Sequence, residues 1–237
     1  MIRRGSRGSG HPYLEPDDVF EFPDVETAVG PGIVAVGGNL SPGMLLSAYR
    51  QGLFPWYSPG EPIMWWAPDP RFVLHPSEFH LSRRLARRIR NGSLQTRLDT
   101  DFASVIRRCA EVPRRGQDGT WITPEMEEAY LELHRRGYAH SVESYHDGAL
   151  VGGLYGVCLG RAFFGESMFH LEPDASKVAL SRLVDIAVDQ SFVFIDCQVR
   201  TPHLASLGAI DIPRAEFMSM LEIALDAPTR AARWGEA

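Results

Sequence analysis

The sequence predicts an α+β protein in which helices pack on a mostly antiparallel sheet. Two observations indicate this class. Strand patterns separated by turn signals cluster between residues 140 and 166. Helix-start signals, in which Ser or Thr precedes Pro, stand ahead of amphipathic runs in both halves of the chain. Hairpins that lead into a helix and then a further strand are typical of a sheet with helices on it.

The predicted strands follow one another through tight turns. Residues 140–145 alternate between apolar and polar types, and Asp147-Gly148 is a hairpin signal that leads into a strand over 149–159. A turn after that strand predicts a third one over 162–166. A later apolar run predicts a buried strand over 192–197.

The helices are predicted from their start and stop signals. Three of them begin at a Ser-Pro or Thr-Pro step and end at a glycine, over residues 41–52, 123–137 and 201–208. Longer helices are predicted near 77–91, 100–111, 174–190 and 214–225.

The segment from Tyr49 to Arg71 has a different character. It contains three tryptophans, and prolines interrupt it at five positions, so regular structure is not expected there. We interpret it as the join between two domains. The sequence therefore predicts a small N-terminal α/β domain over residues 1–70, with a flexible tail at 1–12, and a larger domain over 71–237.

The composition is that of an ordinary globular protein, with 44% hydrophobic and 23% charged residues. No apolar run reaches the length of a membrane-spanning helix, and the N-terminus lacks the apolar segment of a signal peptide. Cys109, Cys158 and Cys197 lie in apolar segments, as buried thiols of a reducing compartment do. We therefore expect a cytoplasmic protein.

One short segment is strongly basic although the chain carries a net charge of −6. Six arginines and no acidic residue occur between His80 and Leu98. Leu81, Leu85 and Ile89 would form the apolar stripe of a helix, with arginines opposite it. A merely solvated helix face usually mixes both signs, so we favour a phosphate-binding helix. The candidate residues are Arg83, Arg84, Arg87, Arg88 and Arg90.

Three polar residues in apolar surroundings are candidates for chemistry. Asp196 and Gln198 end a predicted buried strand and, two residues apart, would point to the same side. The alternative is a strand that simply runs out into a loop. Glu166 lies in an aromatic cluster, where an unpaired carboxylate would be costly. It therefore implies a ligand or a partner such as Arg161.

Six short blocks match one known family in its order. They are Tyr49–Trp56, Met64–Arg71, Gly119–Thr123, Gly165–Phe169, Ala175–Leu180 and Phe194–Gln198. Residues 201–213 continue the match. On these blocks the chain resembles the leucyl/phenylalanyl-tRNA–protein transferases.

This resemblance implies an acetyltransferase-like (GNAT-type) fold for the larger domain and aminoacyl transfer as the reaction. The α-amine of an acceptor protein's N-terminal Arg or Lys would attack the ester that joins leucine or phenylalanine to tRNA. We expect methionine to be transferred too, and the added residue would mark the acceptor for degradation. Because an ester is replaced by a more stable amide, we expect neither a cofactor nor a metal.

The resemblance also implies roles for the polar residues. Asp196 would hold the Gln198 carboxamide so that its carbonyl oxygen faces the attacking amine. Glu166 would bind substrate near the ester, on the donor or on the acceptor. The arginine helix would bind the tRNA.

Leucine and phenylalanine differ from other residues only in apolar volume, so an apolar pocket is expected. Its candidate residues, each of which could also be plain core, are Leu154, Phe163, Met168 and Ile195. Trp56 and Trp121 are candidate platforms on which the terminal adenosine stacks. For Trp65 or Trp66 a core position is favoured.

Two other functions share part of this pattern. An acetyl-CoA-dependent acyltransferase would share the fold type, but its pyrophosphate loop does not follow residues 194–198. A non-catalytic RNA-binding module would leave Asp196 and Gln198 without a purpose. The segment around Ser167 lacks the second glycine of a serine nucleophile elbow, and the histidines lack metal-ligand spacing.

Overall fold

The computed structural model describes residues 10–112 and 121–235. Most of the predicted tail, residues 1–9, and the Gly119-Thr120 step of one matched block lie outside these ranges. The described residues form seven α-helices and ten strands in two sheets, which confirms the α+β class and the mostly antiparallel sheet. None of the described helices is long and apolar enough to cross a membrane.

The helices follow the predicted positions closely. They are α1 (Pro42–Arg50), α2 (Arg83–Arg90), α3 (Phe102–Glu111), α4 (Pro124–Arg135), α5 (Ala175–Asp189), α6 (Pro202–Ala205) and α7 (Arg214–Leu225). Among the long helices, only the one predicted over 77–91 is much shorter. It begins after Ser82, whose backbone is extended and whose hydroxyl accepts the Leu85 N–H, so the helix is capped there.

The strands build a small sheet and a large one. They are β1 (Ile33–Val36), β2 (Phe54–Pro55), β3 (Met64–Trp66), β4 (Arg71–Leu74), β5 (Gln95–Leu98), β6 (Ala139–His146), β7 (Ala149–Leu159), β8 (Ala162–His170), β9 (Phe194–Gln198) and β10 (Ile210–Ile212). The small sheet has the order β1-β3-β2, and the large one has the order β10-β4-β9-β8-β7-β6-β5. The predicted hairpin between β6 and β7 is confirmed, since Asp147 and Gly148 both adopt a positive φ.

One pair of strands in the large sheet is parallel, and the two strands separate at one end. β8 and β9 pair only from Ala162↔Phe194 to Phe164↔Asp196. Beyond this point β8 continues along β7 to His170, while β9 pairs with β4. The sheet therefore splits next to Glu166, on β8, and Gln198, on β9.

Helices cover both faces of the large sheet. A Cβ placed on Gly152 would lie 2.6 Å from Ala175 of α5, and one on Gly153 would lie 3.3 Å from Val105 of α3. Neighbouring residues of a strand face opposite sides, so α5 and α3 lie on opposite faces. The split between β8 and β9 thus lies within a covered sheet.

The segment 49–71 is more regular than predicted, because β2, β3 and the start of β4 lie in it. Pro55 is tolerated since β2 is an edge strand. The small sheet of the N-terminal part is antiparallel, and its core is continuous with that of the large sheet: Tyr49 of α1 packs on Phe164 of β8, with ring centroids 5.0 Å apart. The domain boundary near residue 70 stays a prediction.

Candidate active site

A pocket of about 590 Å³ lies where β8 and β9 separate. Its walls combine apolar side chains with a few polar groups at one end. All the predicted catalytic and substrate-binding residues line it, namely Trp56, Trp121, Leu154, Phe163, Glu166, Met168, Ile195, Asp196 and Gln198. The structure thus brings together residues that are up to 142 positions apart in the chain (198 − 56). Their roles stay predictions.

Glu166 is held by three hydrogen-bond donors from distant parts of the chain. The Tyr49 hydroxyl donates to Oε1 at 2.8 Å and the Tyr130 hydroxyl to Oε2 at 2.7 Å. The Gln198 carboxamide donates from Nε2 to Oε1 at 2.9 Å. The prediction that Glu166 has a partner is confirmed, but Arg161 is the wrong one, since its guanidinium donates to the carbonyl oxygen of Ile223.

Burial raises the pKa of Glu166 to about 7, with a smaller contribution from the negative charge of Asp196. The three hydrogen bonds oppose this shift because they favour the carboxylate. Burial and the nearby Glu166 charge also raise the pKa values of Tyr49 and Tyr130 well above the ordinary range, so both keep their protons. Glu166 is therefore the group of this cluster that titrates near neutral pH.

Asp196 forms a fully buried ion pair with Arg71. The guanidinium donates from Nε to Oδ1 at 2.9 Å and from Nη2 to Oδ2 at 2.6 Å. It also lies over the rings of Phe54 and Phe217, at 4.7 and 4.5 Å from their centroids. Two parallel bonds of this kind fix a carboxylate in position and orientation.

The prediction that Asp196 holds the Gln198 carboxamide is wrong. Asp196 Oδ1 accepts the backbone N–H of Gln198 at 2.9 Å, while the side-chain amide donates to Glu166. Gln198 adopts φ 63°, so the regular alternation of the strand ends before it. Asp196 thus positions the backbone of Gln198. Glu166 holds the Gln198 carboxamide by its nitrogen, so the carboxamide oxygen points away from Glu166.

Sequence reasoning missed Arg71, Tyr49 and Tyr130. A signal existed for Arg71, because a carboxylate inside a buried strand requires a cationic partner. Arg71 and Tyr49 also end and begin two of the matched blocks. Tyr130 lies in α4, outside every block, and nothing in the local sequence distinguishes it from a core tyrosine.

The two candidate adenosine platforms lie at the pocket's edge. Trp56 is 37% exposed, and Trp121 is half-buried. Trp66 supports Trp56, since its indole N–H donates to the Trp56 carbonyl oxygen at 2.7 Å and the two rings are 5.4 Å apart. Trp65 is the core residue that was predicted, because it is 1% exposed and donates to the Gly37 carbonyl oxygen.

Cys197 is the one cysteine that lines the pocket. Burial raises its pKa far above neutrality, and burial raises that of Cys158 to about 12, so both are protonated thiols. A nucleophilic cysteine needs the thiolate form. Within the described part of the chain there is also no group of His, Cys, Asp and Glu with the geometry of a metal site.

The arginine helix α2 lies outside the pocket and packs on α5 through Leu85 and Val178. Leu81 precedes the helix and is 43% exposed, so its place in the apolar stripe was wrongly predicted. Two of the five candidate arginines form ion pairs, Arg84 with Asp174 and Arg88 with Glu172. The other three are Arg83, Arg87 and Arg90, whose side chains lie on the outer side of the helix.

Comparison with known proteins supports the resemblance seen in the sequence. The family described as "Leucyl/phenylalanyl-tRNA protein transferase" matches residues 73–222, and the family described as its N-terminal domain matches residues 38–69. These matches define the class of the protein, which is an aminoacyltransferase. More particularly, the chain belongs to the leucyl/phenylalanyl-tRNA protein transferase family.

Several bacterial relatives bear the name leucyl/phenylalanyl-tRNA–protein transferase. That of Nitratidesulfovibrio vulgaris (strain DP4) is 53% identical over 222 residues, which cover 94% of this chain and 95% of the relative. That of Anaeromyxobacter sp. (strain Fw109-5) is 56% identical over 222 residues and 94% of each chain. That of Myxococcus xanthus (strain DK1622) is 54% identical over 225 residues, covering 94% and 96%.

Solved acetyltransferases are among the similar structures. A ribosomal-protein-alanine N-acetyltransferase from Brucella melitensis has a TM-score of 0.34 and 18% identity, covering 46% of this chain and 83% of its own. An aminoglycoside acetyltransferase from an uncultured soil metagenomic sample has a TM-score of 0.37 and 13% identity, covering 48% and 84%.

Proposed function

We propose that the protein transfers leucine or phenylalanine, and also methionine, from aminoacyl-tRNA to the N-terminal Arg or Lys of acceptor proteins. The observation that carries this proposal is the pocket, in which apolar walls end at the Glu166–Gln198 contact. The added residue would mark the acceptor for degradation. The location would be the cytoplasm, where aminoacyl-tRNA is available.

The donor would be bound in two parts. Its leucyl or phenylalanyl side chain would fill the apolar space between Leu154, Met168 and Ile195, and its terminal adenosine would stack on Trp56 or Trp121. An apolar pocket discriminates weakly per methylene, which favours tolerance of methionine beside leucine. Together these contacts would place the ester carbonyl beside Gln198.

Gln198 would orient the attacking amine. A free α-amine has a pKa of roughly 8, so part of it is neutral at cellular pH. The Gln198 carbonyl oxygen would accept a hydrogen bond from this amine, and an ionised Glu166 at Nε2 would make that oxygen a better acceptor. The amine nitrogen bonds to the carbonyl carbon, the carbon–oxygen bond to ribose breaks, and the amine proton ends on the ribose oxygen.

The strand-to-helix turn disfavours an acetyl-CoA-dependent acyltransferase. Pyrophosphate binds well at a helix N-terminus that follows a glycine-rich turn. The turn from β8 into α5, residues 171–174, contains no glycine and so does not provide such a site. A non-catalytic RNA-binding module is disfavoured because it has no use for a buried Glu166 with a pKa near 7.

A transfer assay tests the function. Labelled leucyl-tRNA and phenylalanyl-tRNA would be incubated with the protein and with peptides that differ only in their N-terminal residue. We expect label in peptides that begin with Arg or Lys and not in an N-acetylated Arg peptide. RNA binding without transfer, or labelling from acetyl-CoA alone, would reject the proposal.

The outward-facing arginines of α2 give a prediction about tRNA. Changing Arg83, Arg87 and Arg90 to Gln should raise the KM for leucyl-tRNA and make it less dependent on salt. The slope of log KM against log salt should fall by about one for each phosphate that the variant no longer neutralises.

Arg107→Gln is the matched control, since Arg107 is an exposed arginine of α3, on the opposite face of the sheet. Leucyl-adenosine, which lacks the tRNA body, should be used equally by all variants. An equal loss of activity with both donors would contradict tRNA binding by α2.

A further inference from the structure

The segment that follows α7 returns to the large sheet and docks there. Trp234 stacks on His140 of β6 with ring centroids 4.2 Å apart and an angle of 2° between the rings. The Trp234 backbone N–H donates to Asp99 Oδ2 at 2.7 Å, and the same oxygen lies 2.8 Å from His140 Nδ1. Asp99 therefore ties both partners of the stack together.

The turn between β7 and β8 and the turn between α4 and β6 both fit closely against the same segment. The Gly160 N–H donates to the Thr229 hydroxyl oxygen at 3.0 Å. Gly137 adopts φ 78°, and a Cβ there would lie 2.5 Å from the Ala232 backbone nitrogen. A close approach of this kind requires glycine. Residues 229–234 are thus part of the folded structure and are held at three separate places.

Trp234 also contacts the wall of the pocket. Its ring lies 5.7 Å from that of Phe163, at an angle of 33°. Phe163 lines the pocket and is fully buried. The Phe163 ring therefore contacts both the pocket and Trp234.

We propose that Trp234 sets the depth of the amino-acid pocket by holding Phe163 in place, and so determines selection between leucine and phenylalanine. The inference rests on the proposed function of the pocket. Protein interiors are close-packed, so a ring that loses its neighbour can shift into the vacated space. A deeper pocket would pack less closely on leucine and would accommodate the larger phenylalanine side chain. Trp234 is a positioning residue, since it acts through Phe163.

A competition experiment tests this inference in the full chain. Leucyl-adenosine and phenylalanyl-adenosine would compete for one Arg peptide, and mass spectrometry would give the ratio of the two products. That ratio does not depend on how much of the enzyme is folded, because both donors compete for the same molecules. We expect Trp234→Ala to shift it toward phenylalanine by about 10-fold, the lower end of the discrimination that one methylene provides.

Two further variants keep the test decisive. Trp234→Phe retains an aromatic ring against His140 and Phe163 and should shift the ratio by less than Trp234→Ala. Thr229→Val removes the acceptor for Gly160 in the same segment and should leave the ratio unchanged. A wild-type ratio in Trp234→Ala, or an equal shift in Thr229→Val, would overturn the inference. Absence of transfer by the wild-type protein would instead reject the proposed function.

Discussion

Replacing Asp196 by Ala is expected to destabilise the fold by about 3–5 kcal/mol and to lower transfer by about 10²-fold or more. The loss of stability follows because the Arg71 guanidinium would remain buried with its charge uncompensated. The loss of transfer follows because Asp196 Oδ1 accepts the Gln198 N–H and so positions the residue that orients the amine. Denaturant unfolding and steady-state transfer would measure the two effects.

A double variant separates the two effects. Removing both charges, in Arg71→Met with Asp196→Leu, should recover most of the stability, because a buried ion pair replaced by apolar residues is often neutral. Transfer should stay low, since no acceptor for the Gln198 N–H is restored. Normal transfer by the double variant would mean that Asp196 serves the fold alone.

The pH dependence of transfer should change when Glu166 is replaced. In the wild type, kcat/KM should rise with pH through about 7 as Glu166 ionises, and further as the acceptor amine, with its pKa near 8, loses its proton. Well below these values the logarithm of kcat/KM should rise by about two per pH unit, since two groups must lose protons. In Glu166→Gln the slope should fall to about one, with a rate about 10²-fold lower at pH 8.

Tyr130→Phe provides the matched control. It retains the ring but removes one of the hydrogen bonds that lower the pKa of Glu166. The part of the kcat/KM–pH profile that reflects ionisation of Glu166 should therefore move to higher pH. The part that reflects ionisation of the acceptor amine should not move. An unchanged profile in Glu166→Gln would show that Glu166 does not act as an ionised group in the reaction.

The sequence predicted those parts of the fold that local signals encode. The Asp147-Gly148 turn and the capped helices are of this kind, because their conformation depends on residues a few positions away. The strands β2, β3 and β10, of two or three residues, are too short to give a periodic pattern. They form because backbone groups find partners brought near by the rest of the fold.

In the candidate site, too, only some features could be predicted from the sequence. The residues of the matched blocks were predicted, and they line one pocket. Their pairing was not predicted, because Arg71 and Asp196 are 125 positions apart and Tyr49 and Glu166 are 117 apart. Local sequence contains no information about which buried carboxylate meets which donor. Asp196 was therefore predicted from the sequence to hold the Gln198 carboxamide, whereas Glu166 does so.

The three donors to Glu166 come from α1, α4 and β9, so the cluster cannot form until all three elements have been synthesised. A ribosome releases α1 first and β9 more than 140 residues later (194 − 50). In the unfolded chain Glu166 is a hydrated carboxylate with an ordinary pKa near 4.5 and without a fixed neighbour. A nascent or partly unfolded chain therefore lacks the assembled cluster. Competence for the reaction would be acquired only when α1, α4 and β9 have all docked around Glu166.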